Sequence, residues 1–300
     1  MNYTIHQLAV FLKVVETKSV TKASEAMFMT QPAVSIQLKK LQEQFEIPLF
    51  EVISRKTHIT DFGYEVATSA QKIMDEIAQL SAKTMSFKGL LAGKLKIMSV
   101  STGQYIIPYL LTDFINNHKG VDLQLDVTNK NEVVSALEKN TIDFALVSVM
   151  PHQLDLEFED LIDNELYLVG KEVKPFAKKI DANTFFTKVP IIYRESGSGT
   201  RTSMEEFLKK NGIKARVQLE LTSNEAVKQA VLAGLGYSVM PKIGIHRELS
   251  EGSLTVLPVK GLPITTTWRL VWLKGKKLSP VATAFLSYIQ SNKHNLIHNF

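Results

Sequence analysis

Side chains that could do chemistry cluster in a few short stretches of the chain. In Ser196-Gly197-Ser198-Gly199-Thr200-Arg201, hydroxyls and glycines separate an apolar run, PIIYR, from a stretch of helical periodicity over 200–211. Glycines let backbone N–H groups approach a ligand, hydroxyls donate hydrogen bonds, and the positive end of a helix favours an anion. Arg201 adds charge and can hold an oxyanion through two parallel bonds. A second stretch, Ser101-Thr102-Gly103-Gln104, follows the strand-like run LKIMSV and opens a helical segment. Ser148 ends another strand-like run, and Asn224 opens a helix over 224–234. Ligands in open α/β sheets bind beyond the C-terminal ends of strands, where helix N-termini point. Glu195 is the one carboxylate close by, suited to orienting Arg201 or a ligand hydroxyl. These donors predict a cleft for a small anion. Taken singly, each serves equally as an ordinary helix cap.

A different chemistry is written near the N-terminus. Thr30 is a good helix N-cap, and Pro32 falls in the first helical turn, where its missing N–H costs least. Gln31 and Ser35 are short enough to reach base edges or phosphates, and Lys39 lies one turn beyond Ser35. A short helix with Ala23, Ala26 and Met27 on its inner face, capped by Thr21, precedes this one across a tight turn at Met29–Thr30. Two short helices so joined form a helix-turn-helix. The run LFEVISRKTHIT then has room for two short strands tipped by Arg55 and Lys56, a basic wing suited to phosphate or minor-groove contact. A small helical bundle with surface lysines fits the same pattern.

Other chemistries lack their residues. Ser196-Gly-Ser-Gly does not match the Gly-x-Ser-x-Gly nucleophile elbow, and no histidine stands as an evident base for Ser198. Gly234-Leu-Gly236 lacks the third glycine of a dinucleotide fingerprint, and there is no Walker A motif. His294 and His298 stand four residues apart, but in a terminal stretch that reads as a frayed tail. No catalytic residue, metal site or cofactor is expected. The absence of cysteine excludes a disulfide framework, a thiolate metal site and a cysteine nucleophile, and suits a reducing compartment.

The elements around these stretches follow from periodicity. Leu8, Phe11, Leu12 and Val15 mark a first helix, and Val34, Leu38, Leu41 and Phe45 mark the inner face of the third. Residues 62–88 read as one long helix. Val66, Ala70, Ile73, Ile77, Leu80, Thr84 and Phe87 recur there in steps of four and three, a heptad-like seam fit for two-stranded pairing. A helix packed on its own domain is the alternative. From Lys94 the pattern becomes strand alternating with helix, through VDLQLDVT, DFALVSV, LYLVG, ARVQLEL, GYSVMP and WRLVWL, which predicts parallel-rich α/β sheets. Helical segments fall over 105–117, 131–139, 200–211 and 224–234. About 200 residues is long for one doubly wound unit, so two lobes are expected. The 45% hydrophobic and 22% charged fractions are those of a soluble globular protein. The net charge of +5 permits nucleic-acid binding without proving it. No apolar run approaches the roughly 20 residues that cross a bilayer, and the N-terminus lacks signal-peptide features, so a cytoplasmic location with no membrane partner is expected.

The stretch SVTKASEAMFMTQPAVSIQLKKLQEQFEIPLFEVISRKTHITDFG resembles the N-terminal domain of LysR-type transcriptional regulators, above all in Ser19 through Ala23, Gln31 through Ser35, Leu41, Leu49-Phe50, Arg55, Thr60 and Gly63. Three positions depart from it. Many relatives carry a basic residue where this chain has Ile36, an arginine where it has Val52, and a glutamate where it has Gln42. Farther on, STGQYIIPYLLTDF, RESGSGTRTSMEEFL and LTSNEAVKQAVLAGLGYSVMP are similar to the Calvin-cycle operon regulators within that family. The resemblance implies an α/β chain with an N-terminal winged helix-turn-helix (1–60), a dimerising linker helix (61–91) and a C-terminal effector domain (92–300) similar to periplasmic solute-binding proteins. That domain would divide into one lobe of 92–163 with 267–290 and another of 164–266. Implied partners are double-stranded operator DNA, a small anionic metabolite as co-inducer and a second copy, or three more copies, of the chain, with RNA polymerase as a further candidate. A cytoplasmic solute receptor and an α/β enzyme are the competing classes.

Overall fold

The computed structural model describes residues 2–53, 56–86, 90–171 and 181–297, without the side chains of residues 78, 79, 81–86 and 294–297. Arg55, Phe87 and His298 therefore lie outside the described residues, as do the side chains of Thr84 and His294. The chain divides into two compact units, Met1–Gly93 and Lys94–Phe300.

The first unit begins with α1 (Ile5–Thr17), held by a capping box: Thr4 accepts from the Gln7 backbone N–H and the Gln7 side chain accepts from the Thr4 N–H. The second helix, α2 (Val20–Ala26), is capped by Ser19 and not by Thr21 as expected; Thr21 falls inside the helix. The third, α3 (Gln31–Gln42), is capped by Thr30 with Pro32 in its first turn, as the sequence predicts. Between α2 and α3 the backbone turns at Phe28 in the left-handed region, φ 54°. Strands β1 (Phe50–Ile53) and β2 (Lys56–Ile59) pair antiparallel as the wing. Leu8, Phe11, Val14, Ala23, Val34, Leu38, Leu41 and Leu49 form the core, joined by Ala67 and Ala70 of α4 (Asp61–Ser86).

Two positions of the quoted stretch gain physical reasons. A Cβ on Gly63 would lie 2.0 Å from the Leu49 carbonyl oxygen, so only glycine lets α4 pass against that strand entry. Gln42 accepts from the Leu49 N–H at 2.6 Å and so closes the loop after α3.

The second unit is a two-lobed α/β structure. Its large sheet runs β10 (Thr255–Val256), β6 (Leu156–Gly170), β11 (Ile264–Leu273), β5 (Phe144–Val147), β3 (Ala92–Val100), β4 (Gly120–Thr128), with β9 (Ser238–Pro241) also pairing β6. A separate pair joins β7 (Ile191–Arg194) to β8 (Val217–Leu221). The expectation of parallel-rich sheets is only partly met. β3–β5 and β7–β8 are parallel, but every described ladder involving β6 or β11 is antiparallel. The reason is that β6 and β11 form a long ribbon passing through both lobes. Along it β6 is fifteen residues long, and its polar first half, LEFEDLID, carried too little apolar alternation to be read as strand. The ribbon's register slips between Trp268 and Arg269, as at a β-bulge.

One lobe packs α5 (Ile107–Asn117), α6 (Lys130–Glu138) and α11 (Pro280–Ile297) on β3, β4 and β5. Phe114, Phe144, Phe285 and Trp272 meet edge-on or tilted there. The other lobe gathers α7 (Ala182–Lys188), α8 (Gly199–Lys210), α9 (Asn224–Leu232) and α10 (His246–Ser250) around β7, β8 and β9. Phe186, Ile191, Met204, Leu208 and Val239 fill one side of it, Ile192, Val227, Val231 and Met240 the other. Among the described residues no helix is long and apolar enough to cross a membrane.

Candidate functional site

On the first unit, α3 buries Val34, Leu38 and Leu41 and leaves Gln31, Pro32, Ser35, Ile36, Lys39 and Lys40 exposed. The Thr30 hydroxyl accepts from the Ala33 N–H at 3.3 Å, so its first duty is to start the helix. Lys56 is exposed on the wing. This is a polar, basic helix face with short side chains at its N-terminal end, able to hydrogen-bond base edges and approach phosphates.

On the second unit, the strand ends expected to form a cleft do meet. β3 ends in a 3-10 turn, Ser101–Tyr105. Thr102 and Gly103 are buried in it, and a Cβ on Gly103 would lie 2.0 Å from the Ser99 hydroxyl, so this glycine serves close packing. From the other lobe, the loop after β7 brings Gly199 opposite Ser148 and Val149, with both side chains 3.5 Å from where a glycine Cβ would stand. Gly197, at φ +87°, sits opposite Asn131 of α6. Ser198 caps α8 without a side-chain capping bond. Like Thr102, Ser148 and Thr200 it is buried. Asn224 is 1% exposed; its amide donates to the Tyr105 hydroxyl at 3.4 Å, and its Oδ1 has no partner.

The charge at the centre is a residue the sequence reading missed. Arg194, the last residue of β7, is 3% exposed. Its Nε and Nη2 grip the two Glu195 oxygens at 2.8 Å each, and Nη2 also donates to Ser101 of the opposite lobe at 3.0 Å. Its Nη1 is buried with no partner. Arg201, the expected anion ligand, is committed elsewhere. It donates to Glu205 at 2.7 Å, to Glu220 at 2.6 Å and to the Arg194 carbonyl at 3.0 Å, and stacks on Tyr193. Hydrogen bonding to Glu205, against the cost of desolvation, lifts its pKa further above the usual arginine value. Glu195 accordingly orients Arg194 and not Arg201. Two further expectations shift: Ser196 is exposed, and Gln104 is exposed beside a cavity of about 670 Å³ that Tyr105, Lys242, His246 and Trp268 also line. The signal for Arg194 was available, since a basic residue closing an apolar strand stands where open α/β sheets bind ligands.

A winged helix-turn-helix and a two-lobed α/β unit with buried hydroxyls and an arginine at its strand ends have the architecture of a DNA-binding regulator with an effector domain. Residues 5–64 match the bacterial regulatory helix-turn-helix of the lysR family, and residues 88–293 match the LysR substrate binding domain. The chain belongs to the LysR family of transcriptional regulators. It is 37% identical over 96% of its length to the transcriptional activator CmpR of Synechocystis sp. (95% of that protein). It is 36% identical over 97% of its length to the RuBisCO operon transcriptional regulator of Allochromatium vinosum (97% of that protein). These relatives place it beside the Calvin-cycle regulators, as the resemblance implied. Among solved structures it is similar to the regulatory domain of Synechocystis CcmR in complex with 2-PG, at 32% identity and TM-score 0.63, covering 67% of this chain and 98% of that one. Full-length CbnR bound to its target DNA shares the fold, at 19% identity and TM-score 0.69, covering 96% of this chain and 99% of that one.

Proposed function

We propose that this regulator answers to a small phosphate- or carboxylate-bearing anion held between the two lobes of its second unit. One observation carries the reading: the buried Arg194 guanidinium bridges to the opposite lobe while its Nη1 lacks a partner. A buried charged donor left unpaired costs at least about 1–3 kcal/mol, which an anion would relieve. Thr102, Ser198 and Thr200 supply hydroxyls, and the α8 N-terminus supplies partial positive charge. 2-Phosphoglycolate, the 2-PG of the CcmR complex, has the chemistry this set of donors fits. Because the ligand would touch both lobes, it would favour one hinge angle, and its influence equals its differential affinity for the two states.

Thr30, Gln31, Pro32, Ser35, Lys39 and Lys56 form the DNA face, joined by Arg55. The far half of the α4 seam, where Ile73 is 41% and Leu80 66% exposed, joins two copies so that two half-sites are read together. The chain acts by binding, without catalysis, in the cytoplasm where its DNA lies. Titration calorimetry with 2-phosphoglycolate, glycolate and glycerol tests the charge requirement. Binding should follow the order of negative charge, and equal or stronger binding of glycerol would contradict it.

A further inference from the structure

On its outward face α3 carries an exposed isoleucine that hydrogen-bonding chemistry does not use. At about 100° per residue, Ile36 points within about 15° of the direction opposite the mean of the buried Val34, Leu38 and Leu41. It is 53% exposed, at the centre of the outward face. A β-branched apolar residue there adds nothing to the core and is a weaker helix former than lysine or arginine. Its neighbours on that face are short at the helix start, Pro32 and Ala33, and long one turn later, at Lys39 and Lys40. Short side chains around it let the helix axis come close to base edges, while the lysines reach outward.

We propose that Ile36 reads sequence by packing on the C5-methyl of a thymine in the major groove. The thymine methyl is the apolar group of that groove, and it distinguishes T·A from the other pairs by contact alone. A basic residue at the same place would instead gain a phosphate or guanine partner, whereas isoleucine favours an A·T pair through the thymine methyl. The inference rests on α3 occupying the major groove.

The test uses the full-length chain and the tightest duplex recovered by in vitro selection from a random double-stranded library. The recovered half-sites should contain a fixed thymine. Replacing it with deoxyuridine removes only the methyl and should weaken wild-type binding about fourfold per half-site, the factor one buried methyl carries. Ile36→Ala should bind the thymine duplex about that much more weakly and show no further loss with deoxyuridine. Ile36→Arg should be insensitive to the methyl and steepen the salt dependence by about one unit of slope. Because the side chain is exposed, both variants should unfold at the wild-type temperature, which separates a lost contact from a folding defect. Half-sites without a fixed thymine, or an equal deoxyuridine penalty in wild type and Ile36→Ala, would overturn the proposal. Failure of the groove placement itself would show differently, as unchanged affinity in Gln31→Ala and Lys39→Ala.

Discussion

Replacing Arg194 by methionine should separate ligand response from fold. The side chain is 2% exposed and makes two 2.8 Å bonds to Glu195 and one of 3.0 Å to Ser101. Removing it takes a partner from Glu195, but that carboxylate is 20% exposed and can recover water. It also removes the unpaired Nη1, a cost already present in the unliganded protein. The net loss of stability should therefore be roughly 1–3 kcal/mol, below the 3–5 typical of a fully buried pair broken on one side. The effector should feel the change more. Hydrogen bonds to a charged group contribute about 1.5–3 kcal/mol each, which corresponds to roughly 10- to 150-fold in affinity. At a 2-phosphoglycolate concentration of 100 Kd, wild type gains about 2.7 kcal/mol; a variant binding 100-fold more weakly would gain about 0.4. Urea unfolding with and without the anion reads both quantities. Arg194→Lys, which keeps charge without the fork, should fall between. If the anion stabilises Arg194→Met as much as wild type, the guanidinium is not its partner.

Gly63→Ala should destabilise the first unit by about 1–3 kcal/mol or more, because the new methyl meets a backbone carbonyl that cannot swing away; a wild-type melting temperature would contradict the packing argument. Ile73→Glu should shift sedimentation toward monomer and weaken DNA binding while leaving that unit folded, since Ile73 is exposed within a single chain; an unchanged mass would move the dimer contact elsewhere. Lys39→Ala should weaken DNA binding across sequences and flatten its salt slope by about one unit, whereas Gln31→Ala should cost about 1–3 kcal/mol and relax preference at one position; identical behaviour of the two would refute their assigned roles.

The elements were legible wherever burial follows a period. The i, i+4, i+7 pattern of Val34, Leu38 and Leu41 identified α3, and Thr30-Gln31-Pro32 marked its start. The same logic named strands in the second unit but not the length of β6, whose first half breaks its alternation at Glu159-Asp160 and Leu161-Ile162. The α4 seam divides in a way periodicity does not reveal: Ala70 is buried in its own unit while Ile73 and Leu80 are exposed. At the strand ends, hydroxyls and glycines are legible because they lie in the loops between strands and helices. The sequence records that Arg194 and Arg201 are both present, not which one Glu205 and Glu220 hold. That choice is made by β8, which brings Glu220 alongside from nineteen residues away.

The measurement that bears most directly on the account is a nuclease footprint of the full-length chain on its selected duplex, with and without saturating 2-phosphoglycolate. Anion binding that changes the hinge should alter the length or spacing of the protected regions in wild type, and Arg194→Met should show the unliganded footprint under both conditions. A footprint that stays the same while calorimetry records the anion bound would contradict the claim that the cleft governs how the DNA is held.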